Sequence, residues 1–138
     1  MTMHHAGLAE LVRRDSRYAY EAYEFVFDAL EHTLTRLGRK SQVQANALEE
    51  GEQHVTAVEL LEGACDLAQR EFGLMARVVL RMWGIRRTDD IGALVFNLID
   101  ANLMNKNEDD RREDFHGVFD LARALSEGYA IQFDGANL

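Results

Sequence analysis

HVTAVELLEGACDLAQREFGLMARVVLRMWGIRRTDDIGALVFNLIDANLM, residues 54–104, is the stretch of sequence that decides the fold. Its apolar residues recur at intervals of three and four, the spacing that places them on one face of an α-helix. Gly73 and Gly84 interrupt this pattern at positions typical of helix ends. The stretch therefore predicts three consecutive helices that pack through their apolar faces.

Local signals inside this stretch predict how its helices begin and pack. Thr56 and Glu59 have the spacing of a capping box, which predicts the start of the first helix. Gly63 costs about 1 kcal/mol relative to alanine in the middle of a helix, so it predicts close packing against a second helix. Thr88 is predicted to cap the third helix. Four residues of the second helix are predicted to point inward: Met75, Val78, Val79 and Met82.

The N-terminal part of the chain predicts a short helix over 7–14 and a long helix over 17–37. Asp15 and Ser16 are good N-terminal signals, and Gly38 is typical of the position just after a helix. Apolar residues cover most of the circumference of the long helix, which predicts contacts on two or three sides. This helix is therefore either central to the fold or partly buried in a subunit interface.

The remaining segments are shorter or more polar. Residues 38–53, GRKSQVQANALEEGEQ, predict a flexible linker or a loop with a short helical turn. Short helices are predicted over 107–116 and 118–125, followed by a tail over 126–138. Together these patterns predict a single all-α domain, 1–138, with five to seven helices, in which the long helix 17–37 packs on the three-helix unit 54–104.

Composition limits the class of protein. The chain has 138 residues, 47% apolar content and no proline, which suits one helical domain with a real core. A net charge of −9 argues against nonspecific binding to nucleic acid or to anionic membranes, and it permits a partner with a basic surface. One cysteine, no N-terminal apolar leader and no long apolar run predict a cytoplasmic protein without a membrane span.

Four arginines form the one local basic cluster of the sequence, and they are the candidate partner-binding residues: Arg77, Arg81, Arg86 and Arg87. Three helices with a glycine turn also suggest a winged-helix-like nucleic-acid-binding module that uses this cluster. The predicted outward face of the third helix opposes that function, because it carries Asp89, Asp90, Asn97 and Asp100. Aspartates repel phosphates, so nucleic-acid binding is the less favoured alternative.

Two patterns suggest a metal site, and each has a simpler explanation. One is an acidic stripe on the long helix, formed by Glu21, Glu24, Asp28 and Glu31. Acids at these intervals also form the solvated face of any amphipathic helix. The other is the pair Glu113 and His116, which resembles half of a helical di-iron site, but no second such pair occurs.

No catalytic or cofactor-binding residue can be assigned from the sequence. It contains no zinc-ligand spacing, no glycine-rich phosphate loop and no nucleophile motif. Cys65 lies on the predicted apolar face of its helix without a basic neighbour, which indicates an inert thiol. An enzymatic function is therefore uncertain and less favoured than a noncatalytic one, and no cofactor is predicted.

Four phrases together resemble a small bacterial protein family without an established activity, found mainly in planctomycetes and verrucomicrobia. They are RYAYEAYEFVFDALEHT (17–33), HVTAVELLEGACDLAQREFG (54–73), WGIRRTDDIGALVFNLIDANLM (83–104) and NEDDRREDFHGVFDL (107–121). Ala19 and Leu74 stand where the family pattern has proline. The resemblance implies a bacterial cytoplasmic domain and transfers no catalytic role.

The leading functional hypothesis is a noncatalytic cytoplasmic interaction or regulatory protein that forms a homo-oligomer. It rests on the long helix, whose apolar surface exceeds what one side of contact needs. The alternative is the winged-helix-like nucleic-acid binder. A further alternative is a carboxylate and histidine metal-binding enzyme that uses Glu21, Glu24, Glu113 and His116.

Overall fold

The structure is a computed structural model that describes residues 6–39 and 54–126. In these two ranges it contains five α-helices and two 3-10 turns, and no strand. The helices are α1 (Ala6–Arg14), α2 (Tyr20–Arg36), α3 (Ala57–Phe72), α4 (Ala76–Met82) and α5 (Thr88–Asp100). The 3-10 turns are Gly73–Met75 and Arg112–Phe115, and a last helical segment covers 121–126. The predicted all-α domain is confirmed, whereas 40–53 of the predicted linker and 127–138 of the predicted tail lie outside the described residues.

Helix α2 lies at the centre of the domain, where it contacts α1, α3 and α5. Its buried residues are Ala22, Tyr23, Phe25, Val26, Ala29, Leu30, Thr33 and Leu34. The wide apolar arc on this helix is therefore covered by the protein's own chain. The leading functional hypothesis used this arc as the argument for self-association, and the arc does not support that hypothesis.

Helix α2 begins at Tyr20, three residues later than predicted, because Asp15 does not cap it. The Asp15 carboxylate instead accepts hydrogen bonds from the backbone N–H of Arg17 at 3.2 Å and from its guanidinium at 2.9 and 2.7 Å. These bonds close a turn ahead of the helix. Ala19, in an extended conformation, then occupies the N-cap position without a side-chain hydrogen bond.

Helices α2 and α3 approach each other closely at Gly63. A Cβ atom added there would lie 1.8 Å from Oγ1 of Thr33 on α2. That hydroxyl donates a hydrogen bond to the carbonyl of Ala29 at 2.7 Å and so lies flat against its own helix. The close packing predicted from Gly63 is confirmed.

The start of α3 is fixed by the predicted capping box, which is confirmed. Oγ1 of Thr56 accepts from the N–H of Glu59 at 3.2 Å, and the Glu59 carboxylate accepts from the N–H of Thr56 at 3.0 Å. Arg39, just beyond the end of α2, donates to the same carboxylate at 2.9 Å and to the carbonyl of His54 at 2.7 Å. The two ends that flank residues 40–53 are therefore held together.

Helix α5 is buried along most of its length and holds the 115–118 segment against the domain. The hydroxyl of Thr88, which is fully buried, donates to the carbonyl of Phe115 at 2.7 Å and accepts from the N–H of Val118 at 3.2 Å. Thr88 is thus the first residue of the helix and not its cap. These bonds fix a non-helical path, so the helix predicted over 107–116 is reduced to the turn Arg112–Phe115, and the next one to 121–126.

The prediction for the inward face of α4 was wrong. Ala76 and Leu80 are the fully buried residues of this helix, whereas Met75, Val78 and Met82 are exposed and Val79 is partly buried. The reason lies at the junction with α3. The 3-10 turn Gly73–Met75 has three residues per turn instead of 3.6, so the helical phase of α3 is not carried into α4.

Candidate interaction surface

An exposed apolar surface runs along the 3-10 turn Gly73–Met75 and α4. Its four members, named here the α4 stripe, are Leu74 (79% exposed), Met75 (56%), Val78 (46%) and Met82 (75%). Val78 and Met82 are four residues apart on α4, and Leu74 precedes Val78 by four, so the side chains follow one another along one face. Among the described residues only two further large apolar side chains are exposed, Leu37 and Val58. In the described part of the chain, exposed apolar surface is therefore concentrated on the 3-10 turn Gly73–Met75 and α4.

The predicted arginine cluster borders this stripe. Arg77 and Arg81 are exposed on α4, and Arg86 follows in the loop before α5. These three arginines line a pocket of about 290 Å³ whose other residues are Ile85, Leu121, Ala122 and Leu125. Arg87 does not line the pocket, and its backbone N–H donates to Asp90 at 3.0 Å. The structure therefore brings three of the four predicted residues together.

The three pocket arginines lack the carboxylate partners that several other arginines of the described residues have. Arg17 pairs with Asp15 at 2.7 Å, Arg39 with Glu59 at 2.9 Å, and Arg70 with Asp66 at 2.8 Å. Within residues 6–39 and 54–126, no carboxylate pairs with the guanidinium of Arg77, Arg81 or Arg86. In a chain with 24 acidic residues against 15 basic ones, the described part of the chain thus leaves these three guanidinium groups without a carboxylate partner.

Most polar side chains of α5 form hydrogen bonds with other parts of the domain. The Asp89 carboxylate accepts from the N–H of Gly117 at 3.0 Å and contacts Nδ1 of His116. The Gly117 N–H, and after it His116, lower the pKa of Asp89. Asn97 donates to Asp15 at 3.0 Å and to the Tyr23 hydroxyl at 3.1 Å. Asp100, the other residue predicted on the outward face, is exposed and acidic, so the helix presents no basic side chain to a phosphate backbone, which disfavours the winged-helix-like alternative.

The acidic stripe on α2 forms a repulsive patch with Glu71 of α3. Burial, followed by the nearby charges of Glu71, Glu24 and Glu31, raises the pKa of Asp28. Across the described ranges, no three histidine, cysteine or carboxylate side chains are grouped closely enough to hold a metal ion.

The predicted pair of Glu113 and His116 does not form a ligand pair around a common point. Glu113 is exposed and belongs to the 3-10 turn Arg112–Phe115. His116 comes after the turn, in extended backbone, and directs Nδ1 at the Asp89 carboxylate. This histidine therefore serves to fasten the 115–118 segment.

Sequence reasoning missed a polar cluster between α2 and α3. Asp66 is only 8% exposed, and its Oδ2 lies 2.7 Å from Nε2 of His32, 2.8 Å from Nε of Arg70 and 4.0 Å from Nε of Arg36. The four-residue interval from Asp66 to Arg70 was a readable signal, but His32 is brought in from another helix. The neighbouring Cys65 is no nucleophile, because burial, with Glu62 and Asp66 nearby, raises its pKa to about 12.

A second cavity of about 130 Å³ opens between α2, the start of α3 and the loop after α5. Its floor is apolar and includes Leu30, Leu60 and Ile99, and its rim includes His54 and Asn107, whose side chains contact each other.

No family model, curated protein or solved structure matches the chain. The resemblance to the planctomycete and verrucomicrobial family therefore stays a prediction from the sequence. Among the described helices, none combines the length and the apolar character that crossing a bilayer requires.

Proposed function

We propose that the protein is a noncatalytic interaction or regulatory protein of the bacterial cytoplasm that self-associates through the α4 stripe. The observation that carries the proposal is the exposure of four large apolar side chains within nine consecutive residues, 74–82. Single exposed apolar residues are normal, whereas a continuous patch of them marks a surface that another molecule covers. The cytoplasmic location is supported by the single cysteine, and the bacterial origin by the family resemblance.

A second copy of the chain is the occupant that the charges around the stripe favour. Arg77 and Arg81 border the stripe on α4. Glu71 lies at the end of α3, next to Phe72, whose ring packs edge-on against Trp83, the residue after α4, at 5.7 Å. In a two-fold contact each surface meets its own copy in reverse, so a patch with both signs of charge near its edges can complement itself.

Equilibrium sedimentation at increasing protein concentration tests this proposal. Wild-type protein is expected to exceed the single-chain mass of 15.7 kDa. The double substitution Val78→Gln and Met82→Gln removes two apolar side chains of the stripe without changing the net charge, and it should leave a monomer. The matched control, Leu37→Gln and Val58→Gln, removes the two exposed apolar side chains that lie elsewhere and should still associate.

Two outcomes would overturn the proposal. One is a wild-type protein that keeps the mass of one chain into the millimolar concentration range. The other is an equal loss of association in both double variants, since this would show that any reduction of apolar surface suffices. Far-ultraviolet circular dichroism of each variant establishes that the helices are intact.

A further inference from the structure

We propose that the pocket between α4 and the helical segment 121–126 is a binding site for a small amphipathic organic anion. The ligand class is an acyl or alkyl chain of moderate length with one carboxylate or phosphate head group. The pocket shares Arg77 and Arg81 with the border of the α4 stripe but contains none of the four stripe residues, so this inference does not depend on self-association.

The pocket has an apolar floor that is already part of the protein core. Ile85, Leu121 and Leu125 are each at most 3% exposed, and they form the inner wall of the cavity. Gln69 of α3 fixes the position of this wall, because its side-chain amide donates to the carbonyls of Ala124 and Leu125 at 3.2 and 3.3 Å. The floor is therefore preformed, as binding pockets for apolar groups usually are.

The mouth of the pocket carries positive charge only. Arg77, Arg81 and Arg86 line it, and among residues 6–39 and 54–126 no acidic residue does. Guanidinium groups bind carboxylates and phosphates through two parallel hydrogen bonds, and they are more weakly hydrated than an ammonium group. Three of them at one opening, in a protein of net charge −9, concentrate anions at a point where the rest of the surface repels them.

The volume of the cavity limits the length of the ligand's apolar chain. Its volume of about 290 Å³ lies at the lower limit of small-molecule pockets, which span roughly 300–1,000 Å³. An anion without an apolar tail would occupy only the mouth of the cavity, and a neutral chain would leave the arginines without a partner. The combination of floor and mouth therefore fits a molecule that has both parts.

Isothermal titration calorimetry with octanoate and with octyl phosphate tests the site, and the stronger of the two identifies the preferred head group. Acetate and inorganic phosphate serve as probes without a tail, and octanol as a probe without a charge. We expect saturable binding, with one site per chain, of at least one of the two amphipathic anions. All three reduced probes should bind at least tenfold more weakly.

Variants locate the binding in the pocket. Arg81→Ala should weaken binding about tenfold, because one charge-assisted contact is lost. Arg112→Ala removes an exposed arginine at a distant 3-10 turn and should leave the affinity unchanged. Ala122→Glu supplies the arginines with a carboxylate of the protein's own and should abolish binding while it preserves the circular dichroism spectrum.

The inference is overturned if neither amphipathic anion binds, if octanol or inorganic phosphate binds as tightly, or if Arg112→Ala and Arg81→Ala weaken binding equally. The double variant Val78→Gln and Met82→Gln separates this result from the proposed self-association. It should remain monomeric and still bind the ligand, so either idea can fail while the other stands.

Discussion

The hydroxyl of Tyr18 donates a hydrogen bond to Oδ1 of Asp90 at 2.6 Å and joins the turn before α2 to the first turn of α5. The other oxygen of Asp90 accepts from the backbone N–H groups of Arg86 and Arg87 at 2.9 and 3.0 Å. Burial, and then this bond to Asp90, raises the pKa of Tyr18. One carboxylate therefore holds three segments of the chain in register.

Replacing Tyr18 by phenylalanine should lower the free energy of unfolding by about 1.5–3 kcal/mol, the usual contribution of a hydrogen bond to a charged group. Urea denaturation measures the change. A double-mutant cycle with Asp90→Asn isolates the pair, and a coupling energy near zero would contradict a direct bond.

Gly63→Ala should destabilise the protein by about 1–3 kcal/mol, because the new Cβ atom would collide with Thr33 and force α2 and α3 apart. Adding Thr33→Ala removes the colliding hydroxyl and should restore part of the stability. Thermal unfolding of both single variants and the double variant gives the comparison. A double variant as unstable as the sum of the two would show that the collision is not the cause.

Asp66→Asn should cost about 1–3 kcal/mol of unfolding free energy, because it removes the charge on which His32 and Arg70 converge between two helices. Arg70→Ala should cost less than about 1 kcal/mol, since its side chain is 64% exposed and solvent screens the pair. Chemical denaturation of both variants checks the order. An equal loss in the two would place the stabilisation on Arg70 alone.

Stability should fall on acidification because several carboxyl groups have lowered pKa values in the folded state. The Arg17 guanidinium lowers the pKa of Asp15, and the Thr56 N–H, followed by Arg39, lowers that of Glu59. In the unfolded chain these groups take up protons near pH 4, so the unfolded state binds more protons there and the stabilisation is lost as the pH falls further. The free energy of unfolding between pH 6 and pH 3, about the range of carboxyl titration, measures this slope.

Glu59→Gln should flatten that slope by removing one of the groups responsible. Glu108→Gln, at an exposed position in the loop after α5, is the matched control and should leave it unchanged. A slope that is identical in wild type and Glu59→Gln would assign the acid sensitivity elsewhere.

Asp28→Asn should raise the free energy of unfolding at neutral pH. Its raised pKa means that the folded state disfavours the ionised carboxylate, so the penalty is present at neutral pH and disappears once the group is protonated. Repulsion from Glu24 and Glu31 at helical spacing predicts a gain of about 0.5 kcal/mol at pH 7. Thermal unfolding at low salt should show the gain, and high salt should reduce it. A gain that persisted at pH 3, roughly below the ordinary carboxyl pKa, would contradict the electrostatic origin.

Elements whose signals are local could be predicted from the sequence. The capping box of Thr56 and Glu59 and the close packing at Gly63 follow from residues within one helix and its immediate contact. The wide apolar arc of α2 predicted contacts on two or three sides but left open whether a subunit interface supplied one of them. These predictions needed no knowledge of which distant residues meet.

Features that depend on distant partners could not be predicted. The 3-10 turn Gly73–Met75 rotated α4 and exposed side chains that periodicity had placed inside. The hydroxyl of Thr88 bonds to Phe115, 27 residues away, and His32 reaches Asp66 across two helices. The pocket is a further case, because Leu121 and Leu125 meet the arginines only after the chain has passed through α5.

Two of the four side chains in the α4 stripe, Met75 and Met82, are thioethers open to solvent, whereas Met104 is shielded at 8% exposure. Peroxide should therefore convert the first two to sulfoxides while the core methionine is spared. A sulfoxide is polar, so the face would become wettable without any loss of folded structure. Oxidation of these two methionines would thus make the proposed self-association surface polar, and a sulfoxide reductase could reverse the change.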